Sequence, residues 1–210
     1  MGCLVLLRHG QSDWNAQNRF TGFVDVELSD KGRAEAEKGG RLLKDIRFDR
    51  VFASTLKRAY DTAEIALEAS GNNEHLRENG EWQITKHDDL RERDYGDLAG
   101  LNKAETAEKF GDEQVHIWRR SYDVRPPGGE SLKDVVERVA PYFEREILPE
   151  LKAGKNILVG AHGNTVRALL VALDCHSPEE ISGVEIPTGV PMVFETDNGS
   201  PKTYRFLDGK

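Results

Sequence analysis

The sequence predicts an α/β fold: three layers, with a mostly parallel central sheet and helices on both faces. Three observations carry this expectation. Short apolar runs, among them Val51-Phe52-Ala53 and Ile157-Leu158-Val159, have the length of buried strands. Segments of helical periodicity follow them, in the βαβα rhythm of a parallel sheet. Two of the runs also end alike, one on Arg8-His9-Gly10 and the other on Ala161-His162-Gly163.

The first strand covers about 3–7, and a loop through Thr21-Gly22 follows. Ser29-Asp30-Lys31-Gly32 reads as a helix entry, with Ala34, Gly40, Leu42 and Leu43 as the packed face up to about Lys44. Val51-Phe52-Ala53 is a second strand, ending at Ser54-Thr55. Leu56, Ala59, Tyr60, Ala63 and Leu67 then recur at helical spacing, stopped near Gly71. The charged stretch 74–127 reads as short helices and loops, clearest from Leu101 to Arg120. Pro126-Pro127-Gly128-Gly129 is a break. Ser131 reads as an N-cap, followed by a helical face of Leu132, Val135, Val136, Val139, Phe143 and Ile147. Pro141 lies inside that pattern and predicts a kink. A strand over 156–161 leads into a helix from Thr165. Strands at 191–196 and 203–207 close the chain, with Pro191 and Pro201 suited to strand starts or edges.

The 210 residues are expected to form a single domain, 1–210, long enough to bury a substantial core. A net charge of −8 argues against a nucleic-acid partner. No apolar run approaches the ~20 residues of a membrane span. Met1-Gly2-Cys3 lacks the Ser or Thr that myristoylation wants at position 6, which is Leu6. Cys3 and Cys175 form no CxxC motif or disulfide framework, which fits a cytoplasmic location. The six histidines show no helical or hairpin metal spacing, so no metal is expected.

In an open parallel sheet, ligands bind beyond the carboxyl ends of the strands. Either terminal histidine alone reads as a loop residue; the two together, with arginine nearby, point to a shared crevice. Neutral imidazole is a nucleophile near neutral pH, and guanidinium matches phosphate oxygens. Helix N-termini after Gly10 and Gly163 would add N–H donors. This ensemble suits phosphoryl transfer to histidine. Arg58 would enter the crevice from the next helix, or is a solvated helical residue. Glu92, in Leu90-Arg91-Glu92-Arg93-Asp94-Tyr95-Gly96, is a proton shuttle or a salt-bridged loop residue.

These residues resemble the histidine phosphatase superfamily and, within it, the 2,3-bisphosphoglycerate-dependent phosphoglycerate mutase family. Three blocks carry the resemblance: Arg8 to Asn15 with Arg19-Phe20-Thr21-Gly22, Tyr95-Gly96 with Gly100 to Thr106, and Ile186 to Pro191. The resemblance implies a phosphoglycerate mutase-like fold. It implies interconversion of 3- and 2-phosphoglycerate in glycolysis and gluconeogenesis, with 2,3-bisphosphoglycerate as primer and intermediate. It makes His9 the nucleophile, with Arg8, Arg58 and His162 around the phosphate and Glu92 as general acid/base. Ser12, Asn15, Thr21, Gly22, Arg93, Tyr95, Lys103, Arg119, Arg120, Gly163 and Asn164 would bind the substrate. Partners would be small phosphoglycerates and a second copy in a homodimer, with neither membrane nor nucleic acid.

The chain departs from the family pattern at Gln11, at Arg91 and Asp94 beside Glu92, and after Pro127. Longer mutases carry an inserted segment at the last place. Its absence leaves less chain for covering the pocket and for dimer contacts. A histidine phosphatase acting on a small phosphate ester is the alternative. It needs one anion site, whereas a 2,3-shift needs two, and Lys103 with Arg119-Arg120 are the candidates for the second.

Overall fold

The computed structural model describes residues 2–197 and 200–208. Its strands are β1 (Leu4–Arg8), β2 (Arg50–Ser54), β3 (Arg77–Glu78), β4 (Glu81–Trp82), β5 (Ile84–His87), β6 (Ile157–Ala161), β7 (Pro191–Asp197) and β8 (Ser200–Phe206). The helices are α1 (Asp13–Ala16), α2 (Asp30–Leu42), α3 (Lys57–Ser70), α4 (Lys103–Phe110), α5 (Asp112–Arg120), α6 (Leu132–Tyr142), α7 (Leu148–Lys152) and α8 (Gly163–Ala172). Six strands form one sheet in the order β5-β2-β6-β1-β7-β8, and β3 with β4 makes a separate hairpin. Pairings among β5, β2, β6 and β1 are parallel; β7 is antiparallel to both β1 and β8.

The apolar runs are explained by burial on both faces of the sheet. Leu4, Leu6, Ile157 and Val159 enter a core with α6, α7 and α8. Their neighbours Val5, Leu7 and Leu158 enter a second core with Leu43, Ala63 and Leu67. These are the three expected layers. A third, smaller cluster of Phe20, Leu98 and Val115, with Tyr95, Ala107 and Trp118 against it, builds a wall beyond the strand ends.

Most elements begin and end where local chemistry dictates. Ser29 caps α2 by accepting the Gly32 N–H, and Ser131 makes a capping box with Asp134 at α6. Gly71 stops α3 in the left-handed region at φ 67°. The face of α2 differs from the expected one: Ala34 is exposed and Leu42 half-buried, while Gly32, Ala36, Gly39 and Gly40 are buried. Small residues serve there because other segments approach closely: a Cβ on Gly32 would lie 2.0 Å from the Gln11 carbonyl oxygen and one on Gly39 2.3 Å from that of Gly189, while α3 comes up to Gly40. A Cβ on Gly40 would lie 2.4 Å from the Ala66 carbonyl oxygen. After the exposed Pro141 the helix does not end; it widens into a π-turn over Phe143–Ile147 that leads into α7. The helix after β6 begins at Gly163, two residues before the expected start. Strand β5 and the β3–β4 hairpin were not expected; α1 follows Gly10, where a helix N-terminus was expected. No helix among the described residues is long and apolar enough to cross a membrane.

Gly40→Ala should therefore push α2 from α3 and destabilise the protein by about 1–3 kcal/mol, the usual cost of overpacking. Urea denaturation of parent and variant measures this. Equal midpoints would contradict the close approach.

Candidate active site

The carboxyl ends of β1 and β6 lie side by side, with Arg8 opposite Ala161. The His9 N–H extends the ladder to the Ala161 carbonyl at 3.0 Å. His9 and His162, the next residue on each strand, meet edge to face with ring centroids 5.1 Å apart. Gly10 is required at once after His9. A Cβ there would lie 2.1 Å from the Gly32 carbonyl oxygen, where the chain passes over the start of α2.

His9 Nδ1 lies 2.6 Å from the Gly10 carbonyl oxygen. A carbonyl only accepts, so Nδ1 carries the hydrogen and Nε2 keeps its lone pair. Burial, then the charges of Arg58 and Arg8, push the His9 ring well below the ordinary imidazole range. Burial and Arg58 do the same to His162.

Arg58 is no solvated helical residue. It is 1% exposed, and its Nη1 and Nη2 donate to the carbonyls of Val24 and Gly22 at 2.9 and 2.8 Å. Burial lowers its pKa to about 10, so it stays charged at neutral pH. Arg8 Nη1 donates to the Ile186 carbonyl. Among the described residues, Arg8 Nε, Arg58 Nε, Thr21 Oγ1 and both His162 ring nitrogens are buried without a partner. Arg77 Nε and Arg93 Nε are unpartnered too, away from the lining, but Arg8, Thr21 and Arg58 line one pocket with His9, against which His162 packs. Such atoms are costly, and their concentration there marks a site prepared for a ligand.

Glu92 also departs from the salt-bridge reading. Its Oε1 accepts the N–H of Arg93 at 2.9 Å and of Asn164 at 3.1 Å, the latter in the first turn of α8. One pocket is lined by Arg8, His9, Asn15, Thr21, Gly22, Arg58, Glu92, Tyr95, Lys103, Arg119, Arg120, Gly163 and Asn164. Loop 18–22 is zipped to 100–103 by Phe20 N–H to Leu101 O, Gly100 N–H to Phe20 O and Lys103 N–H to Asn18 O. That pairing brings Thr21 and Lys103 to one wall.

Two expected substrate-binding residues lie elsewhere. Ser12 is buried and accepts the Asn15 N–H as the cap of α1, so its hydroxyl is used by the backbone. Arg93 is fully buried behind the wall, where Nη2 donates to the Tyr95 hydroxyl at 3.0 Å and the Arg119 carbonyl at 3.1 Å. Arg19, Phe20, Arg167 and Glu185 also line the pocket; the first two lie in a motif that carries the resemblance but were given no site role, and the last two were not singled out. Arg167 could have been found: it follows Gly163 by four positions on one helix, hence on one face.

His9, Glu92 and His162 each offer a ligand atom, all within 4.8 Å of one another. Sequence spacing could not show this, because three separate segments supply them. The surroundings suit an anion better than a divalent cation. Arg8 and Arg58 stand against the same rings and depress their protonation, and they would repel a metal ion likewise.

The chain matches the histidine phosphatase superfamily (branch 1) over residues 4–208. The 2,3-bisphosphoglycerate-dependent phosphoglycerate mutase of Methylocella silvestris is 55% identical over 193 residues, 91% of this chain and 90% of that protein. The protein of the same name from Zymomonas mobilis is 49% identical over 233 aligned positions, covering 99% of each chain. Among solved structures, a mycobacterial glucosyl-3-phosphoglycerate phosphatase complexed with VO3 superposes with a TM-score of 0.79. It is 27% identical and covers 98% of this chain and 97% of its own.

The lowered pKa of His9 has a spectroscopic consequence. Nitrogen-15 NMR of the ligand-free protein at about pH 6, just below the ordinary imidazole pKa, should show His9 neutral with hydrogen on Nδ1. A doubly protonated His9 ring at that pH would contradict the assignment.

Proposed function

The chain belongs to the histidine phosphatase superfamily, and from that premise we propose that it is a 2,3-bisphosphoglycerate-dependent phosphoglycerate mutase working as one catalytic domain. Relatives about half identical over nine-tenths of the chain bear that name. The observation that carries the reading is a second group of cations, Lys103, Arg119, Arg120 and Arg167, in the same pocket as His9. Hydrolysis of a phosphate ester needs one anion site. Moving a phosphoryl group between carbons 2 and 3 of glycerate needs a second, for the carboxylate and the other phosphate. Guanidinium groups suit both anions.

The cycle begins when His9 Nε2 attacks a phosphorus of 2,3-bisphosphoglycerate. An N–P bond forms, the ester P–O bond breaks, and the departing oxygen takes a proton from Glu92, which is left as the carboxylate. On the phosphoenzyme, Glu92 takes the proton from the 2-hydroxyl of 3-phosphoglycerate, using the oxygen not engaged by the two N–H donors. That hydroxyl oxygen attacks the phosphorus, and His9 leaves with its lone pair restored. The bisphosphate turns around, and His9 attacks the 3-phosphoryl group. Glu92 returns the proton to the departing oxygen, and 2-phosphoglycerate is released. Arg8, Arg58 and His162 hold the transferring group, with Asn15, the Gly163 N–H and the Asn164 side-chain amide as further donors. These cations supply the charge that Mg²⁺ supplies in other phosphoryl transfers, so no metal is required.

The cytoplasmic setting is supported by a sequence whose two cysteines form no CxxC motif or disulfide framework. The homodimer rests on the family resemblance alone. The competing reading, a phosphatase, is favoured by one observation: a solved structure of similar fold is named as a glucosyl-3-phosphoglycerate phosphatase.

The decisive assay measures 2-phosphoglycerate and free phosphate together, from 3-phosphoglycerate with and without 2,3-bisphosphoglycerate. Primer-dependent 2-phosphoglycerate, undiminished by EDTA and abolished by His9→Ala, is expected. Free phosphate as the main product would make the protein a phosphatase.

The double substitution Arg119→Ala with Arg120→Ala tests the second anion site. Loss of a charge partner costs about 2–5 kcal/mol, so mutase turnover should fall at least tenfold. The ratio of free phosphate to 2-phosphoglycerate should rise. Unchanged turnover and ratio would remove both arginines from the site.

A further inference from the structure

The pocket contains one acidic group that the reaction above does not use. Glu92 has its role; Glu185 does not, yet it lines the pocket. Its Oε1 accepts from Arg120 Nη2 at 3.1 Å. The residues on either side bind pocket arginines as well. The Val184 carbonyl accepts from Arg167 Nε at 3.0 Å, and the Ile186 carbonyl accepts from Arg8 Nη1. Three successive residues thus hold three of the cations that face the ligand.

The three contacts differ in kind. The carbonyls are neutral and leave each guanidinium charge available for an anion. The Glu185 carboxylate is itself an anion, of the same chemistry as the group a phosphoglycerate would bring to Arg120. Its side chain is 77% exposed, against 26% for Arg120. A contact so open to water is weak and breaks easily.

We propose that Glu185 is a specificity-determining residue: its carboxylate occupies Arg120 until a ligand anion at the second site displaces it. This rests on the reading that the pocket takes phosphoglycerates. A ligand that reaches only the His9 end leaves the Glu185–Arg120 pair in place and meets no competition from it. A ligand long enough to bring an anion to Arg120 must displace the carboxylate. Glu185 therefore raises the dissociation constant of phosphoglycerates selectively, which favours release of product from a highly cationic pocket.

The test is calorimetric titration of the parent, Glu185→Gln and Glu185→Asp with 3-phosphoglycerate and, separately, with inorganic phosphate. Thermal unfolding establishes that each variant is folded. Glu185→Gln should bind 3-phosphoglycerate about 2- to 5-fold more tightly, the range for one exposed ion pair. Its affinity for inorganic phosphate should change less, and Glu185→Asp should fall between parent and Gln. Unchanged 3-phosphoglycerate affinity would make Glu185 a bystander. Weaker binding would mean that it orients Arg120 for the ligand. Equal gains for both ligands would indicate a general field effect. Each of these three results overturns the proposal. A parent that binds phosphate but not 3-phosphoglycerate would instead defeat the mutase reading, and this proposal with it.

Discussion

The parallel register of β1 against β6 is the constraint on which the rest depends. Leu4–Arg8 pairs residue for residue with Ile157–Ala161, so the histidine that follows each strand emerges at the same level. The two cores hold that register. Leu4 and Leu6 face one, Val5 and Leu7 the other, each against its own helices. A slip of one residue would send every one of these side chains to the opposite face. At about 1.5–3 kcal/mol for each fully buried aliphatic side chain, the cores strongly oppose such a slip. The hydrophobic pattern thus sets the position of two polar rings that it does not contain.

The same placement creates the site's electrostatics. Sunk between strand ends and helices, His9 and His162 cannot easily take a charge, and Arg58 beside them adds to the cost. Neutral rings next to charged guanidiniums form an environment in which an arriving phosphate is the missing partner. Each arginine is tied to a backbone carbonyl by an Nη atom, Arg58 to Gly22 and Val24, Arg8 to Ile186. Their Nε atoms remain unpaired. Positioning is thereby separated from binding: the carbonyls fix geometry without neutralising charge. The arrangement sacrifices folding stability, because buried unpaired donors are unfavourable until a ligand meets them.

The parts of this design that were legible in the sequence are those with a local signature. The strands ending at His9 and His162 announce themselves by apolar runs, and the helices at Lys57 and Leu132 by spacing and caps. Strand β5 was missed because it is a sheet edge with one apolar residue, Ile84, among Thr85, Lys86 and His87. Ala34 and Ala36 are chemically identical, and only tertiary packing decides which is buried. The family resemblance named most of the pocket. It did not separate Ser12, spent on a helix cap, or Arg93, spent on bracing Tyr95, from residues that face a ligand. Glu185 carries no motif. Its meaning comes from Arg120, which is 65 positions away in the chain.

The short segment after Pro127 shows how little extra chain the site needs. The Zymomonas relative aligns over 233 positions against the 210 residues here, so extra chain exists among proteins of this name. In this protein the break is folded directly onto the loop that carries Glu92. The Asp97 N–H donates to the Pro127 carbonyl at 2.9 Å and the Glu130 N–H to the Asp94 carbonyl at 2.9 Å. The Glu130 carboxylate accepts the Asp94 N–H and pairs with Arg138, and Arg138 in turn donates to the carbonyls of Asp89, Arg91 and Glu92. A half-buried ion pair with this many backbone partners is a rigid support, since each group fixes the others. Another side of the pocket is built on the cluster of Phe20, Leu98 and Val115, from which Phe20 and the adjoining Tyr95 reach the lining. The turn after Pro126 thus braces the loop that carries Glu92, while a separate apolar cluster builds another side of the pocket, with Phe20 on its lining.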